Sequence, residues 1–237
     1  MKNLILAITL LSLTNGYVYS QDSKKSDKTY SNGYMLGVAM TRNLSDYEFS
    51  KQEISDIIKG FTDGLNKKTK SQEVVDYEKV NSFINEKRQI NVSKHKKEGM
   101  EYLNNMTKEQ NAKKYDSGLV MVVQKEGSGE IPSATDRVKV HYKGYLINGK
   151  TFDSSYDRGQ PVDFVLNQVI PCWTEALTKV KVGSKVKIGC PSDIAYGDRG
   201  IEPTIPGGST LIFDVELLEI IKETPKKEES DKNLKTK

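Results

Sequence analysis

The clearest periodic signal in the chain lies at 50–65. Ile54, Ile57, Ile58, Phe61 and Leu65 recur at the spacing of one helical face, and Ser50 with Glu53 forms a capping box in front of them. A shorter segment upstream carries Met35, Leu36 and Met40 with Gly33 and Gly37 four residues apart. Two such glycines on one face let another helix backbone approach closely, or simply loosen the helix that holds them. A third segment begins near Thr69 or Ser71 and runs to about Lys114, with Val74, Tyr77, Val80, Phe83 and Ile84 near its start and Met100, Leu103 and Met106 near its end. From Asn85 to Glu98 its only aliphatic residues are Ile90 and Val92. A stretch so polar is either a bridge crossing solvent between domains or not a stable helix.

Beyond residue 115 the pattern changes. Leu119 to Val123, Val138 to Leu146, Lys185 to Ile188 and Leu211 to Ile220 are rich in Val, Ile and Tyr, partly in period-two alternation, which predicts strands. Turn signals separate them at Gly127-Ser128-Gly129, Asn148-Gly149 and Pro206-Gly207-Gly208. One short helix, about Pro171 to Val180, opens with proline in its first turn, where a missing amide donor costs nothing. The fold class this implies is α+β: an N-terminal helical domain with a long connecting helix, then an antiparallel sheet wrapped around one short helix. Proline usage draws the same line, since none occurs from Tyr30 to Tyr115 and all seven follow.

Composition narrows the function. The chain has 237 residues, 36 basic against 32 acidic, a formal net charge of +4 and a mean hydropathy of −0.59. A balance so mixed lacks the concentrated basic face of a nucleic-acid binder, and no apolar run beyond the N-terminus supports a multispanning membrane protein. Two cysteines, Cys172 and Cys190, exclude a four-thiolate zinc site. With only His95 and His141 as histidines, no metal and no cofactor is expected. His95 reads as solvated and His141 as a packed core histidine. The glycines at 127 and 129 read as a turn, because no lysine-serine motif or helix follows to hold phosphate.

The organisation expected is a signal peptide over 1–20, a polar leader over 21–29, a helical domain and linker helix over 30–115, a catalytic domain over 116–222 and a charged tail over 223–237. The signal is read from Lys2, the apolar Leu4 to Leu13 and the Val18-Tyr19-Ser20 end, with cleavage before Gln21; an uncleaved anchor is the alternative, though the apolar run is short for a span. Three small amphipathic segments bury little if they pack only on themselves, so a homodimer through 30–70 is expected, with a monomeric three-helix domain as the alternative.

The run Val138-Lys139-Val140-His141-Tyr142-Lys143-Gly144-Tyr145-Leu146, followed by Asn148-Gly149-Lys150-Thr151-Phe152-Asp153-Ser154-Ser155, resembles the FKBP-type peptidyl-prolyl cis-trans isomerases. So do Val169-Ile170-Pro171-Cys172-Trp173-Thr174-Glu175-Ala176-Leu177, Ala195-Tyr196-Gly197 and Leu211-Ile212-Phe213-Asp214-Val215-Glu216-Leu217, in family order over about 100 residues. Tyr30-Ser31-Asn32-Gly33, Leu36-Gly37 and the long helix resemble the dimerisation domain of the macrophage infectivity potentiator (Mip)/FkpA-like subgroup. The resemblance implies that Trp173 is the floor beneath a proline ring, with Tyr142, Phe152, Val169, Ile170 and Phe213 as walls. It implies that the Tyr196 hydroxyl donates to a substrate carbonyl, that Asp153 is tied to Arg158, and that Phe164 and Ile205 complete the rim. Val162 replaces a bulkier family residue there. Gly33, Met35, Leu36, Gly37 and Met40 become the dimerisation residues.

The reaction suits a chain this poor in reactive groups. Rotation about an X-Pro bond needs no nucleophile, only relief from a resonance barrier close to the roughly 18–20 kcal/mol of an ordinary amide. The partners implied are proline-containing unfolded or exported proteins and, as inhibitors, rapamycin-like macrolides, in the periplasm, at the outer membrane or outside a Gram-negative-type bacterium. A dimeric holdase with incidental isomerase activity is the alternative; a binding module that has lost activity is weaker. The loop from Asp198 to Thr204 departs from the family pattern, and Cys172 stands where relatives carry glycine. For the two cysteines, buried free thiols are the preferred reading and a disulfide the alternative.

Overall fold

The computed structural model describes residues 30–41, 44, 47–68 and 75–222. The expected signal peptide, leader and charged tail beyond Lys222, the expected helix start near Thr69 or Ser71 and Val74 all lie outside them.

The chain divides into two compact units, the first ending at Arg42. Its helix α1 (Asn32–Met40) is capped by Ser31, whose Oγ accepts from the Tyr34 amide at 3.2 Å, and it buries none of its residues. Within the second unit, α2 (Lys51–Leu65) starts at the expected capping box: Ser50 Oγ accepts from the Glu53 amide, and Glu53 accepts from the Ser50 amide at 2.7 Å. Ile54, Ile57, Ile58, Phe61 and Leu65 are all exposed. The start of α2 is held to the long helix α3 (Tyr77–Met106). Lys87 donates to Glu53 at 2.8 Å and lies between the rings of Phe49 and Phe83.

Helix α3 stops at Met106, short of the expected Lys114, because Ala112–Lys114 is strand β1 and already pairs with β2 (Val120–Lys125). The remaining strands are β3 (Arg137–Leu146), β4 (Thr151–Ser154), β5 (Val162–Val165), β6 (Lys185–Cys190) and β7 (Leu211–Ile221). They form one antiparallel sheet in the order β1-β2-β6-β7-β3-β4, with β5 sharing the β4 edge of β3. Short helix α4 (Pro171–Leu177) lies between β5 and β6 in sequence and covers one face with Cys172, Trp173, Ala176 and Leu177, all buried with Val138, Val140, Tyr142 and Ile188. On the other face the end of α3 seals Val120, Val122 and Ile212 beneath Leu103 and Met106. Because both faces are covered, Val120, Met121 and Val122 are buried in succession rather than in alternation.

In the polar middle of α3, Asn85, Glu86 and Arg88 to Ile90 are exposed, as a segment crossing solvent would be. The stretch is continuous helix, and from Asn91 onward it docks on the domain by close backbone approach and polar contacts. Val92 and Gly99 are buried; a Cβ on Gly99 would lie 2.7 Å from Thr210 Cβ. His95 is not solvated but half-buried, donating from Nδ1 to the Gly207 carbonyl at 2.9 Å. His141 is likewise not in the core. It is half-buried, its ring stacks on Tyr156 at 4.6 Å, and its Nδ1 lies 2.9 Å from Ser155 Oγ.

The two cysteines form a disulfide, Cys172–Cys190, with Cα atoms 5.8 Å apart, which corrects the preference for free thiols. Consecutive elements explain it: Cys172 sits in the first turn of α4 and Cys190 ends β6 where that strand passes beneath.

Candidate active site

The site is built around Trp173. Ile170 and Pro171 start α4 without a side-chain cap, and the Trp173 amide donates to the Ile170 carbonyl at 2.9 Å, which turns the indole into the sheet. Three rings meet it edge-on: Tyr142 at 5.2 Å, Phe213 at 5.3 Å and Phe164 at 5.5 Å, each at 80° or more. Edge-to-face geometry directs positive ring edges at negative faces, so the cluster is rigid as well as apolar. Phe152 adds a further wall, 5.6 Å from Phe213 and nearly perpendicular to it.

Together these rings bound a cavity of about 420 Å³ lined by Tyr142, Phe152, Asp153, Phe164, Gln168, Val169, Ile170, Trp173, Tyr196 and Phe213. A larger hollow of about 630 Å³ lies between α3 and the loops at 114–118 and 191–193, but Tyr115 is the one aromatic residue in its lining. The aromatic cavity is the one that can grip an apolar ring. Trp173 Nε1 is buried with no hydrogen-bond partner among the described residues, a cost a plain core tryptophan normally avoids.

The polar groups cluster on one wall. Tyr142 donates its hydroxyl to Asp153 Oδ2, and Arg158 donates from Nη1 to Asp153 Oδ1 and from Nη2 to the Tyr142 oxygen at 3.0 Å. The guanidinium also lies over the Tyr142 ring, 5.7 Å from its centroid. Strand geometry makes this triangle. Tyr142 falls between the stretches of β3 paired with β5 and with β4, and its free backbone edge is taken by Ser155, whose amide donates to the Tyr142 carbonyl at 2.9 Å and whose Oγ accepts from its amide at 2.8 Å. Burial, reinforced by the hydrogen bond to Asp153, pushes the Tyr142 hydroxyl up to about 12. Tyr196 is raised as well, by burial and then by the Asp153 charge, so both phenols remain protonated donors at neutral pH.

Two of the residues expected at the rim lie outside this lining. Ile205 is buried in the core beneath a bridge to Ile201, and Val162 packs on the core beside Val140; neither lines the cavity. Arg158 stands behind the wall and reaches the cavity only through Asp153 and Tyr142. Gln168 does line it, exposed in the 3-10 turn Leu166–Gln168 just before Val169, and nothing in hydropathy or spacing marks such a residue. Among the described residues no three His, Cys, Asp or Glu side chains gather to hold a metal.

Comparison with known proteins converges on this domain order. Residues 128–218 match the family model described as FKBP-type peptidyl-prolyl cis-trans isomerase, and 29–123 match that of the domain amino terminal to such isomerases. The chain is 44% identical over 203 residues to the FKBP-type peptidyl-prolyl cis-trans isomerase FkpA of Aeromonas hydrophila, covering 80% of this chain and 75% of that one. It is 39% identical over 217 residues to the protein of the same name in Escherichia coli K12, covering 88% and 79%. The crystal structure of FkpA from Escherichia coli superposes with a TM-score of 0.58 at 36% identity, covering 81% of this chain and 83% of that one.

Proposed function

The chain belongs to the FKBP-type peptidyl-prolyl cis-trans isomerase family, and we propose that the aromatic cavity over Trp173 is where it turns X-Pro bonds. Its activity is peptidyl-prolyl cis-trans isomerisation. The observation that carries the site is the combination of one floor indole, three rings edge-on to it and a single polar wall. A proline ring seated on Trp173 loses water on its apolar side. The carbonyl before it is then stripped of solvent, and a twisted amide, having less charge separation than a planar one, loses less by that stripping. Tyr196 donates its hydroxyl to a substrate carbonyl, while Tyr142, Asp153 and Arg158 hold one another so that the wall does not yield as the bond turns. No step requires proton transfer. Gln168, Val169 and Ile170 bound the entrance.

In this reading 30–115 serves assembly and 116–222 catalysis, although the second half of α3 packs on the sheet and β1 is part of it. The clients are exported proline-containing chains, in the envelope or outside a Gram-negative-type cell, and rapamycin-like macrolides compete for the cavity. Support for export comes from the apolar N-terminal run and from the disulfide, which persists in oxidising compartments.

A protease-coupled or NMR exchange assay on an X-Pro tetrapeptide tests the site. Trp173→Ala and Asp153→Ala are expected to lower kcat/KM by at least about tenfold; rates equal to wild type would sink the assignment. The bare apolar rows of α1 and α2 also favour a holdase reading. Asp153→Ala that still suppresses aggregation with undiminished strength would separate holding from turnover.

A further inference from the structure

Tyr196 sits in a loop, 192–208, that is closed on itself by backbone hydrogen bonds: Gly197 to the Ser192 carbonyl at 2.8 Å, Gly200 to Tyr196 at 3.1 Å and Gly208 to Gly197 at 3.0 Å. This makes the loop one small body. Ile205 is in the core and Ile194 and Ala195 pack against it, and helix α3 adds the backbone and polar contacts that tie the rest of the loop to the domain. Val92 touches it at Gly207 and Gly208, where a Cβ on Gly208 would lie 2.6 Å from the Val92 carbonyl, and His95 donates to Gly207. Lys96 Nζ reaches Asp193 Oδ1 at 2.9 Å and Asp198 Oδ1 at 2.7 Å. These two acids flank Tyr196 in sequence, one three residues before it and the other two residues after.

We propose that Lys96 is a positioning residue for the isomerase site, holding the loop that presents Tyr196 by bridging Asp193 and Asp198 on either side of it. The inference rests on the cavity being the isomerase site. Its electrostatic sign is clear: with the ammonium gone, two carboxylates that shared it face each other across the base of the loop, and the repulsion favours open arrangements. The bonds to Asp198 and Asp193 raise the lysine above its usual range, as a shared cation between two acids should be. When Tyr196 samples more positions, the fraction of enzyme competent to bind falls and the apparent affinity falls with it. Since the hydroxyl bond exists in both ground and transition states, the loss belongs in KM and not in kcat.

Lys96→Met keeps the stem and removes the charge; Lys96→Arg restores a bridge; Lys97→Met removes a neighbouring exposed charge that makes no ion pair among the described residues. Hydrogen exchange read by NMR on Gly197, Gly200, Ile201 and Gly208 reports the loop without any substrate. The expected result is faster exchange at these amides in Lys96→Met, with α3 and sheet amides unchanged, and KM raised about three- to fivefold at constant kcat, as much as a half-exposed ion pair supports. Lys96→Arg should recover both, and Lys97→Met should match wild type. Unchanged loop exchange, or a loosened loop with unchanged KM, overturns the proposal; so does a loss confined to kcat. A wild-type chain inactive on every X-Pro peptide would overturn the isomerase site instead, while exchange would still decide whether Lys96 holds the loop.

Discussion

Tyr142 carries two jobs at one position, since its ring packs against Trp173 while its hydroxyl holds Asp153. The group is neutral when protonated, so a folded value near 12 against an unfolded value of about 10 stabilises the protein fully below pH 10. That contribution is lost as pH rises from about 10 to about 12. Urea midpoints should therefore drop through this window, and Tyr142→Phe should remove that part of the drop. Catalysis is different: with both phenols protonated and no acid or base at work, kcat/KM should stay constant within about twofold from about pH 6 to about pH 9. A bell-shaped profile in an NMR exchange assay would contradict the mechanism. Gly144 tests the wall from the backbone side. It lies on β3 facing the cavity rings, and a Cβ there would come within 2.6 Å of Phe152 Cε2 and 2.9 Å of Phe213 Cε1. Gly144→Ala must displace Phe152, so we expect a loss of about 1–3 kcal/mol in stability and a raised KM, measured by denaturant titration and peptide kinetics.

The disulfide joins two elements that each lead to one side of the cavity: α4, with the Trp173 floor one residue after Cys172, and β6, which feeds the Tyr196 loop after Cys190. A crosslink spanning 18 residues limits the unfolded chain by about 3 kcal/mol in the loop-entropy account. Dithiothreitol should lower the urea midpoint correspondingly, and the denatured, unreduced protein should show no free thiol. Element by element, what could be read from the sequence was what repeats. The Ser50 and Glu53 box, the face of α2, and strands β2, β3, β6 and β7 have periodicity or β-branched density long enough to register. Strands β4 and β5 are four residues each and β1 three, too short for a pattern. The middle of α3, from Asn91 on, was not legible for a sharper reason. It docks through Gly99, one valine, and His95 and Lys96 bonded to loop atoms about 100 residues away, so a hydropathy stripe is not needed for it to be held. In the cavity the aromatic rings are motif residues, whereas Ile205 and Val162 pack on the core outside its lining, because which face of a loop or edge strand turns inward is settled by packing alone.

At the scale of the molecule the question is what covers the helices the chain itself leaves bare. Helix α3 finishes its burial against the sheet, but α1 exposes Tyr34, Met35, Leu36, Val38 and Met40, and α2 exposes Ile54, Ile57, Ile58, Phe61 and Leu65. Apolar rows of this length on a monomer mark an interface. Among the described residues nothing lies within 4 Å of where a Cβ on Gly33 or Gly37 would stand, so none of them uses the close approach that two such glycines allow. A second copy would. In the monomeric three-helix alternative the apolar face of α2 would be covered within the chain; among the described residues no residue of α2 is buried. Leu36→Glu together with Ile58→Glu places a charge in each row, and an unpaired charge in an apolar interface costs more than a helix pair of this size supplies. The double variant should sediment as a single chain where the wild type sediments as two. Its kcat/KM on a tetrapeptide should stay within about twofold of wild type, because a short substrate needs only the cavity. Suppression of aggregation by a long unfolded client should fall, because two cavities on one assembly raise the effective concentration of the second site once the first has bound. A wild type that sediments as a single chain at micromolar concentration would leave these rows to another partner and remove the homodimer.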